Sequence, residues 1–389
     1  MTPRPTLGQI LRPFLASPAA ADVRLSPHQW QTLRALARCR TSALGGQAFY
    51  CPHCRREHVV AHSCRNRHCP HCQGAAAVDW LAQQAATLLP VPYFHLVFTL
   101  PHALNGLIRQ NRAALFKLLF DAASQTLLEF GTERLAAQLG LTAVLHTWSQ
   151  TLGDHYHLHC IVTGGGVAQD QSRWVATAPH YFFPVRALSR TFRGKYLAGL
   201  NALFAGGKLA FHGALAAAAV PAQFTALLRQ AARTQWVVYA KRPFAGPEQV
   251  LAYLSRYTHR VALSPRRLLA TDGASVTFAY KDYADGSRQK TMTLATPEFV
   301  RRFCLHVLPE RFVKIRHYGL LGNRQKQTRL ARARELLGVA PPPAEFKPLP
   351  ELLRAPTAEP TPACCPFCQR PGLIKVREVP PRPGSRFES

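Results

Sequence analysis

Hydrophobic positions along the chain switch between helical spacing and the alternating or β-branched, aromatic runs of strands. Helices are predicted around 30–37 and at 75–89, 113–139, 247–259 and 297–308. Strands are predicted at 93–100, 142–152, 155–163, 235–240, 267–271, 275–283 and 289–294, with Gly153 and Asp154 as a hairpin turn. This order predicts an α+β fold with a central antiparallel sheet and helical additions, one of them a helical insertion or cover over about 185–230.

Composition divides the chain into three parts. With 389 residues and 47% hydrophobic residues, the chain is long enough for more than one core. Prolines concentrate in the last 50 or so residues, which predicts a flexible Pro-rich C-terminal tail. We therefore expect a small N-terminal module over 1–90, a larger domain over 91–335, and the tail over 336–389.

The charge balance predicts a polyanionic partner. Lysine and arginine number 48 against 20 acidic residues, a formal net charge of +28. A membrane surface is the rival polyanion, but the sequence has no apolar run of about 20 residues that could span a bilayer. The first 21 residues lack the apolar core of a secretory signal, so we expect a cytoplasmic protein.

Cysteines near the N-terminus predict a structural zinc site. Cys51 and Cys54 form one C-x-x-C pair and Cys69 and Cys72 another, at close to the usual zinc spacing. Redox-active dithiols are the weaker alternative. Four nearby residues could form a second site or exchange with the first: Cys39, His58, Cys64 and His68. For Cys64 and His68, ordinary packing or a phosphate contact is equally open. A C-x-x-C pair in the tail, within 364–368, has no obvious partner and could be a half-site, a remnant or a pair without any role.

Alternating histidines predict a second metal site. On a strand, His155, His157 and His159 share one face because side chains alternate with a period of two. Imidazole binds several divalent ions, so the ligands alone do not name the metal. Three histidines on one face favour a metal site over the structural role that a single histidine on a strand usually has.

Two tyrosines complete the candidate chemistry. Tyr253 and Tyr257 stand at i and i+4, which places both phenols on one helical face about 6 Å apart. Such pairs are usually structural. A phenol with a pKa near 10 needs a nearby cation to act as a nucleophile, and a phosphodiester needs a Lewis acid. The histidines and tyrosines together supply both requirements.

Basic residues interleaved with aromatic ones favour contacts with single-stranded DNA, although a solvated basic surface is an alternative for many of them. The candidate DNA contacts are Arg65 and Arg67 beside the cysteines, Arg256 and Arg260 on the tyrosine helix, and Arg316, His317 and Arg324.

These motifs together resemble a known family. The segment His157-Leu-His159 before a glycine triplet resembles the HUH motif, and the Tyr253–Tyr257 spacing resembles the two-tyrosine motif of rolling-circle transposases. The cysteine module, including 63–70, is similar to the zinc-binding domain of IS91-type insertion-sequence transposases. Segments 98–102, 253–260 and 312–324 also look like that family. The likeness covers roughly residues 25 to 330.

The resemblance implies an HUH endonuclease-type domain behind a zinc-binding DNA-recognition module. It implies that His157 and His159 hold Mg²⁺ or Mn²⁺, with His155 the nearest candidate for the third ligand and His146 and Gln150 as rivals. The tyrosines would attack DNA and form 5′-phosphotyrosine intermediates at single-stranded element ends. Zinc would be structural, and the protein could form a homo-oligomer.

Two other functions are compatible with the residues. A plasmid or phage replication initiator or relaxase would use the same chemistry in another setting, and the zinc module argues for the transposase instead. In a non-catalytic zinc DNA-binding regulator, the histidines and tyrosines would merely pack.

Overall fold

The computed structural model describes residues 4–178, 182–244, 249–250, 261–340 and 364–382. The helices in these ranges are α1 (Leu7–Ala16), α2 (Pro27–Ala37), α3 (Cys72–Ala85), α4 (Asn105–Gln110), α5 (Arg112–Leu135), α6 (Val185–Ala205), α7 (Pro221–Arg233), α8 (Thr296–Cys304) and α9 (Lys326–Leu336). The strands are β1 (Gly46–Tyr50), β2 (Glu57–Ala61), β3 (Tyr93–Thr99), β4 (Ala137–Trp148), β5 (Asp154–Ala168), β6 (Trp174–Ala176), β7 (Val237–Phe244), β8 (Leu268–Thr271), β9 (Ser275–Asp282), β10 (Arg288–Ala295), β11 (Ile315–Gly319) and β12 (Ile374–Val379).

The predicted α+β class with antiparallel sheets is confirmed. The central sheet has the order β11-β4-β5-β3-β7, and β6 pairs with β5. Every pairing in it is antiparallel. Two further antiparallel sheets have the orders β12-β1-β2 and β10-β9-β8.

Strand β5 has two faces with different neighbours. Tyr156, Leu158, Cys160 and Val162 enter the main core, which α5 and α6 cover. The intervening residues, among them the histidines, therefore face the other side of the sheet. Helices α6 and α7 contribute buried aromatic residues to the same core, so the segment predicted as an insertion or cover packs directly on the central sheet.

The predicted hairpin between β4 and β5 differs in its turn. Strand β4 ends at Trp148, and the turn occupies 149–153, where the Ser149 N–H donates to the Gly153 carbonyl and the Ser149 hydroxyl accepts from the Gly153 N–H. Asp154 already belongs to β5. The Ser149 hydroxyl therefore closes a turn that ends at Gly153, one residue before the end of the predicted Gly153-Asp154 turn.

The N-terminal helices belong to a core that extends well beyond the predicted module. Thr6 and Ser26 start α1 and α2 with reciprocal capping boxes. Leu11 and Leu33 on these helices share a buried cluster with Phe278 and Phe299 on β9 and α8. Helices α1 and α2 are therefore packed against the sheet β10-β9-β8.

The prediction of a flexible tail over 336–389 is wrong for residues 364–382. Strand β12 pairs with β1 in antiparallel register, from Gly46 opposite Val379 to Tyr50 opposite Ile374. The proline content of the segment did not prevent this pairing, because the strand itself contains no proline to interrupt the backbone hydrogen bonds.

Candidate functional site

Three imidazoles meet on the open face of the central sheet. His146 on β4 lies directly opposite His157 on β5, and directly opposed residues in an antiparallel pair share a face. His159 follows on that face two residues later. One ring nitrogen from each of His146, His157 and His159 lies within 4.8 Å of the others. One divalent ion with bonds of about 2.1 Å could gather ligands with this spread after small side-chain adjustments.

Hydrogen bonds fix the orientation of two of these rings. The Nδ1 of His157 donates to the His155 carbonyl at 2.9 Å, which leaves Nε2 as the ring's lone-pair nitrogen. The Nδ1 of His159 lies 2.9 Å from Nε2 of His95, and the two rings are stacked. His95 is almost fully buried, and burial lowers its pKa to about 3, so it stays neutral. Such partners fix the tautomer and direction of metal ligands.

His155, the nearest sequence candidate for the third ligand, is replaced by His146 in this geometry. Its ring lies 4.6 Å from that of His157 and 5.8 Å from that of His102, centre to centre, and it does not belong to the imidazole group found in the described residues. Gln150 is engaged elsewhere, because its side-chain oxygen accepts from the Lys281 N–H at 3.4 Å. The alternation along β5 places its histidines on one face, and the cross-strand neighbour His146 contributes the third nitrogen of the group.

The imidazoles form the floor of a cavity of about 500 Å³. Its opposite wall is the end of β9 and the turn that follows, 280–284. Tyr283 is 68% exposed, and the Lys281 ammonium lies 5.6 Å from the centre of its ring. Arg267 holds this wall in place by donating to the carbonyls of Ala279 and Gln150. The cavity thus combines potential metal ligands, a cation and an accessible aromatic face.

The tyrosines of the predicted helix lie outside the described residues. Tyr253, Tyr257, Arg256 and Arg260 all fall within 251–260, so their predicted roles stay predictions. The strand that precedes this segment, β7, pairs with β3 in the central sheet.

The prediction that Cys51, Cys54, Cys69 and Cys72 surround one zinc is wrong. Eight of the described cysteines form two separate groups, Cys39 with Cys64, Cys69 and Cys72, and Cys51 with Cys54, Cys365 and Cys368. Each C-x-x-C pair thus has different partners, because β1 and β2 carry the first pair away from the second. In the first group, three sulfur–sulfur distances are 3.6 to 3.7 Å. A zinc tetrahedron with Zn–S bonds of about 2.3 Å requires about 3.8 Å between sulfurs, so this group fits zinc.

His68 lies outside both cysteine groups. It is buried, its Nε2 accepts from the Leu308 N–H at 3.3 Å, and burial lowers its pKa to about 3. Its neighbour Arg67 donates to the carbonyls of Phe312 and Pro309. These two residues therefore join the cysteine module to the loop before β11.

The remaining predicted DNA contacts divide by exposure. Arg65 and Arg324 are exposed to solvent. Arg316 lies over the ring of Phe120, at 4.3 Å from its centre. His317 contacts the Thr142 hydroxyl at 2.9 Å, and burial lowers its pKa to about 4. Only the exposed arginines are fully available to an external partner.

Sequence reasoning missed several residues that the structure brings together. His95 carried no motif, although its odd position on β3 places it on the histidine face. Cys39 had no pair partner in sequence, and Cys365 and Cys368 were treated as an isolated pair. For these cysteines, the available signal was that eight thiols suffice for two tetrahedral sites with four ligands each.

None of the helices in the described ranges is both long and apolar enough to cross a bilayer. No solved structure matches the chain.

Comparison with known families identifies the chain. Residues 140–329 match the family described as "Putative transposase", and residues 10–100 match the family described as "Transposase zinc-binding domain". The chain is 45% identical over 369 residues to "Putative transposase y4qJ" of Sinorhizobium fredii, covering 92% of this chain and 93% of that protein. It is 29% identical to "Transposase for insertion sequence element IS801" of Pseudomonas savastanoi, covering 92% of this chain and 85% of that protein. The chain belongs to the family of IS91-type insertion-sequence transposases.

Proposed function

We propose that this transposase cuts one DNA strand at the ends of its element and transfers it through a 5′-phosphotyrosine intermediate. The observation that carries the proposal is the group formed by His146, His157 and His159 at the floor of an open cavity. Tyr253 and Tyr257 are the proposed nucleophiles, on the strength of their spacing and the family resemblance.

The histidine group suits a divalent transition ion. Imidazole nitrogen favours such ions over Mg²⁺, which prefers oxygen ligands, and the group in the described residues contains no carboxylate. We therefore favour Mn²⁺ over Mg²⁺ at this site. When bound, the ion would draw charge from a non-bridging phosphate oxygen and lower the barrier to attack on phosphorus.

The tyrosine step conserves the number of phosphodiester bonds. The phenolic oxygen of Tyr253 or Tyr257 forms a bond to phosphorus, and the bond from phosphorus to the 3′-oxygen of the preceding nucleotide breaks. That oxygen leaves as a 3′-hydroxyl after taking up a proton. In a later step, a 3′-hydroxyl of DNA attacks the phosphotyrosine and restores the tyrosine, so the reaction needs no nucleoside triphosphate. The second tyrosine would serve the other end or the target strand.

Single-stranded DNA is the substrate that the cavity wall favours. The exposed face of Tyr283 offers a surface on which an unpaired base can stack, and Lys281 beside it can contact a phosphate. The net charge of +28 supports binding of a polyanion in general.

The test is a covalent adduct assay. A 5′-extended single-stranded oligonucleotide carrying the element end should be cut with Mn²⁺ and remain attached to the protein, with the nucleotide on a peptide containing Tyr253 or Tyr257. The double change Tyr253→Phe and Tyr257→Phe should abolish the adduct and preserve binding. A regulator would bind the oligonucleotide without any adduct, and that result would exclude the proposed chemistry. A replication initiator or relaxase would form the adduct on its origin and not on DNA flanking the gene.

A further inference from the structure

The second cysteine group joins distant parts of the chain. Cys51 and Cys54 precede β2, whereas Cys365 and Cys368 precede β12, more than 300 residues later. The Sγ atoms of Cys51 and Cys368 are 3.6 Å apart, and those of Cys54 and Cys365 are 3.5 Å apart. A disulfide would bring two sulfurs to about 2.05 Å, whereas a zinc tetrahedron needs about 3.8 Å. The spacing fits a metal and not a disulfide.

Both C-x-x-C segments adopt the same turn. The Arg55 N–H donates to the Cys51 carbonyl at 2.8 Å, and the Cys51 N–H donates to the Arg56 carbonyl at 2.9 Å. In the second turn, Gln369 donates to Cys365 at 2.9 Å, and Cys365 donates to the Arg370 carbonyl at 2.8 Å.

The residue after each C-x-x-C segment also has the same backbone conformation. Arg55 and Gln369 are both left-handed, with φ of 55° and 58°. Two copies of one turn therefore face each other, and each presents two thiols toward the other. The matching backbone conformation is an observation independent of the sulfur–sulfur distances, and it also indicates a site for one metal ion.

Side-chain contacts around these turns are peripheral. The ring of Phe367 lies at the edge of the group, with the Arg56 guanidinium 5.2 Å from its centre and the His58 ring 6.1 Å away. On the neighbouring strands, Arg377 pairs with Glu57. These contacts are mostly exposed, and exposed ion pairs add little stability.

Strand β12 buries little apolar surface. Ile374 and Val376 are 54% and 50% exposed, and every residue of the strand except Val379 is exposed. Backbone pairing with β1 is therefore the main contact that holds the strand, apart from the cysteines. A strand with so little hydrophobic burial needs another source of stability, which a metal clasp supplies.

We propose that a second zinc ion, bound by Cys51, Cys54, Cys365 and Cys368, clasps residues 364–379 to the N-terminal module. Two of its ligands lie outside the matched zinc-binding domain, which covers residues 10–100. Binding would release the thiol protons and create no new covalent bond between the sulfurs. The clasp is independent of the strand-transfer chemistry proposed above, and its test involves no DNA.

Metal content tests the proposal directly. Purified full-length protein should contain two zinc ions per chain by inductively coupled plasma mass spectrometry. The double change Cys365→Ser and Cys368→Ser should lower this to one. Cys364→Ser is the matched control, because Cys364 is exposed, adjacent in sequence and absent from both cysteine groups, and it should retain two. One zinc in the unmodified protein, the same zinc content in the double variant as in the unmodified protein, or iron in place of zinc would overturn the proposal.

A second measurement on the unmodified protein remains informative if the double variant fails to fold. Stepwise chelation should release one zinc together with the loss of hydrogen-exchange protection at 374–379, and the protection of β5 should persist. Retained protection at 374–379 after loss of both zinc ions would refute the clasp. A Cys51–Cys368 or Cys54–Cys365 disulfide, detected in non-reduced peptides from freshly purified protein, would also refute it.

Discussion

The change His146→Ala, compared with His155→Ala, tests which imidazole completes the metal site. The ring of His146 lies 4.5 Å from that of His159 and 5.4 Å from that of His157, centre to centre, and its nitrogen belongs to the group. His155 also lies near His157, at 4.6 Å between ring centres, but it supports that ring through its backbone carbonyl. An alanine at 155 keeps the carbonyl, whereas an alanine at 146 removes a ligand.

The expected magnitudes follow from these roles. Loss of an outer partner of a metal ligand typically lowers metal affinity by about 10- to 100-fold. The change His95→Leu, which removes the partner of His159 Nδ1, should fall in that range. Removal of a direct ligand should exceed it, so His146→Ala should weaken Mn²⁺ binding by more than about 100-fold, or about 2.7 kcal/mol. His155→Ala should change affinity by less than about 10-fold.

Titration with Mn²⁺, followed by the electron paramagnetic resonance signal of the unbound ion, measures these affinities without any DNA. The unfolding midpoint and zinc content of each variant provide the control for folding. A larger loss with His155→Ala than with His146→Ala would refute the assignment of the third ligand. Equal affinities in all variants would refute a metal site on this face.

Three further predictions concern a junction, a DNA contact and pH. The change Arg67→Ala should lower the free energy of unfolding in urea by about 2 kcal/mol, because it removes charged hydrogen bonds to two backbone carbonyls. The control Arg65→Ala, at an exposed position, should leave the free energy of unfolding unchanged, and equal stability of the two variants would contradict a structural role of Arg67. Tyr283→Ala should weaken binding of oligo(dT), measured by fluorescence anisotropy, by about 1 to 3 kcal/mol, whereas Tyr239→Ala should have little effect; similar losses would show that Tyr283 is no specific stacking surface. Burial lowers the pKa of His306 from 6.5 to about 4, so the contribution of the neutral imidazole to the free energy of unfolding is complete above pH 6.5 and declines by up to about 3 kcal/mol as pH falls toward 4. The change His306→Gln should therefore flatten the dependence of the free energy of unfolding on pH between 7 and 5, and an unchanged slope would contradict a buried neutral imidazole.

The local sequence pattern was sufficient for most elements of the central sheet. Strand β3 and helix α5 lie close to their predicted bounds, whereas β5 begins as expected but continues five residues further, through the glycine triplet to Ala168. Helix α1 was missed although its signals were present, namely a Thr6-x-x-Gln9 capping box and buried residues at helical spacing. Proline is disfavoured in a helix interior, yet Pro13 is accommodated within this helix.

The third imidazole of the candidate metal site could not be derived from one strand. Period-two alternation assigns His155, His157 and His159 to a face, but the register between strands decides which residue lies opposite. The register shift between His146 and Trp148 makes this register depend on the turn as well. A spacing rule within β5 therefore favours His155, whereas the fold selects His146.

The partners of the cysteine pairs depend on long-range topology for the same reason. Identical C-x-x-C pairs can combine in more than one way, and spacing favours the pair that is nearest in sequence. Strand β12 instead brings Cys365 and Cys368 to the first pair, while Cys39 and Cys64 complete the second. Only the pairing of β12 with β1 distinguishes these arrangements.

The turn at 149–153 connects the two strands of the candidate metal site to the rest of the molecule. Its carbonyls accept from three side chains of the unit formed by β8–β10 and the segment that follows: Arg267 to Gln150, Arg302 to Thr151 at 3.2 Å, and His306 to Leu152 at 3.0 Å. Residues of this unit also share a buried core with α1, α2 and Cys69 of the first cysteine group. Because the turn sets the register that places His146 opposite His157, loosening of that core should disturb the imidazole group before the central sheet itself unfolds. Loss of a zinc ion from the first cysteine group should therefore weaken Mn²⁺ binding, even though the cysteines and the histidines form separate groups.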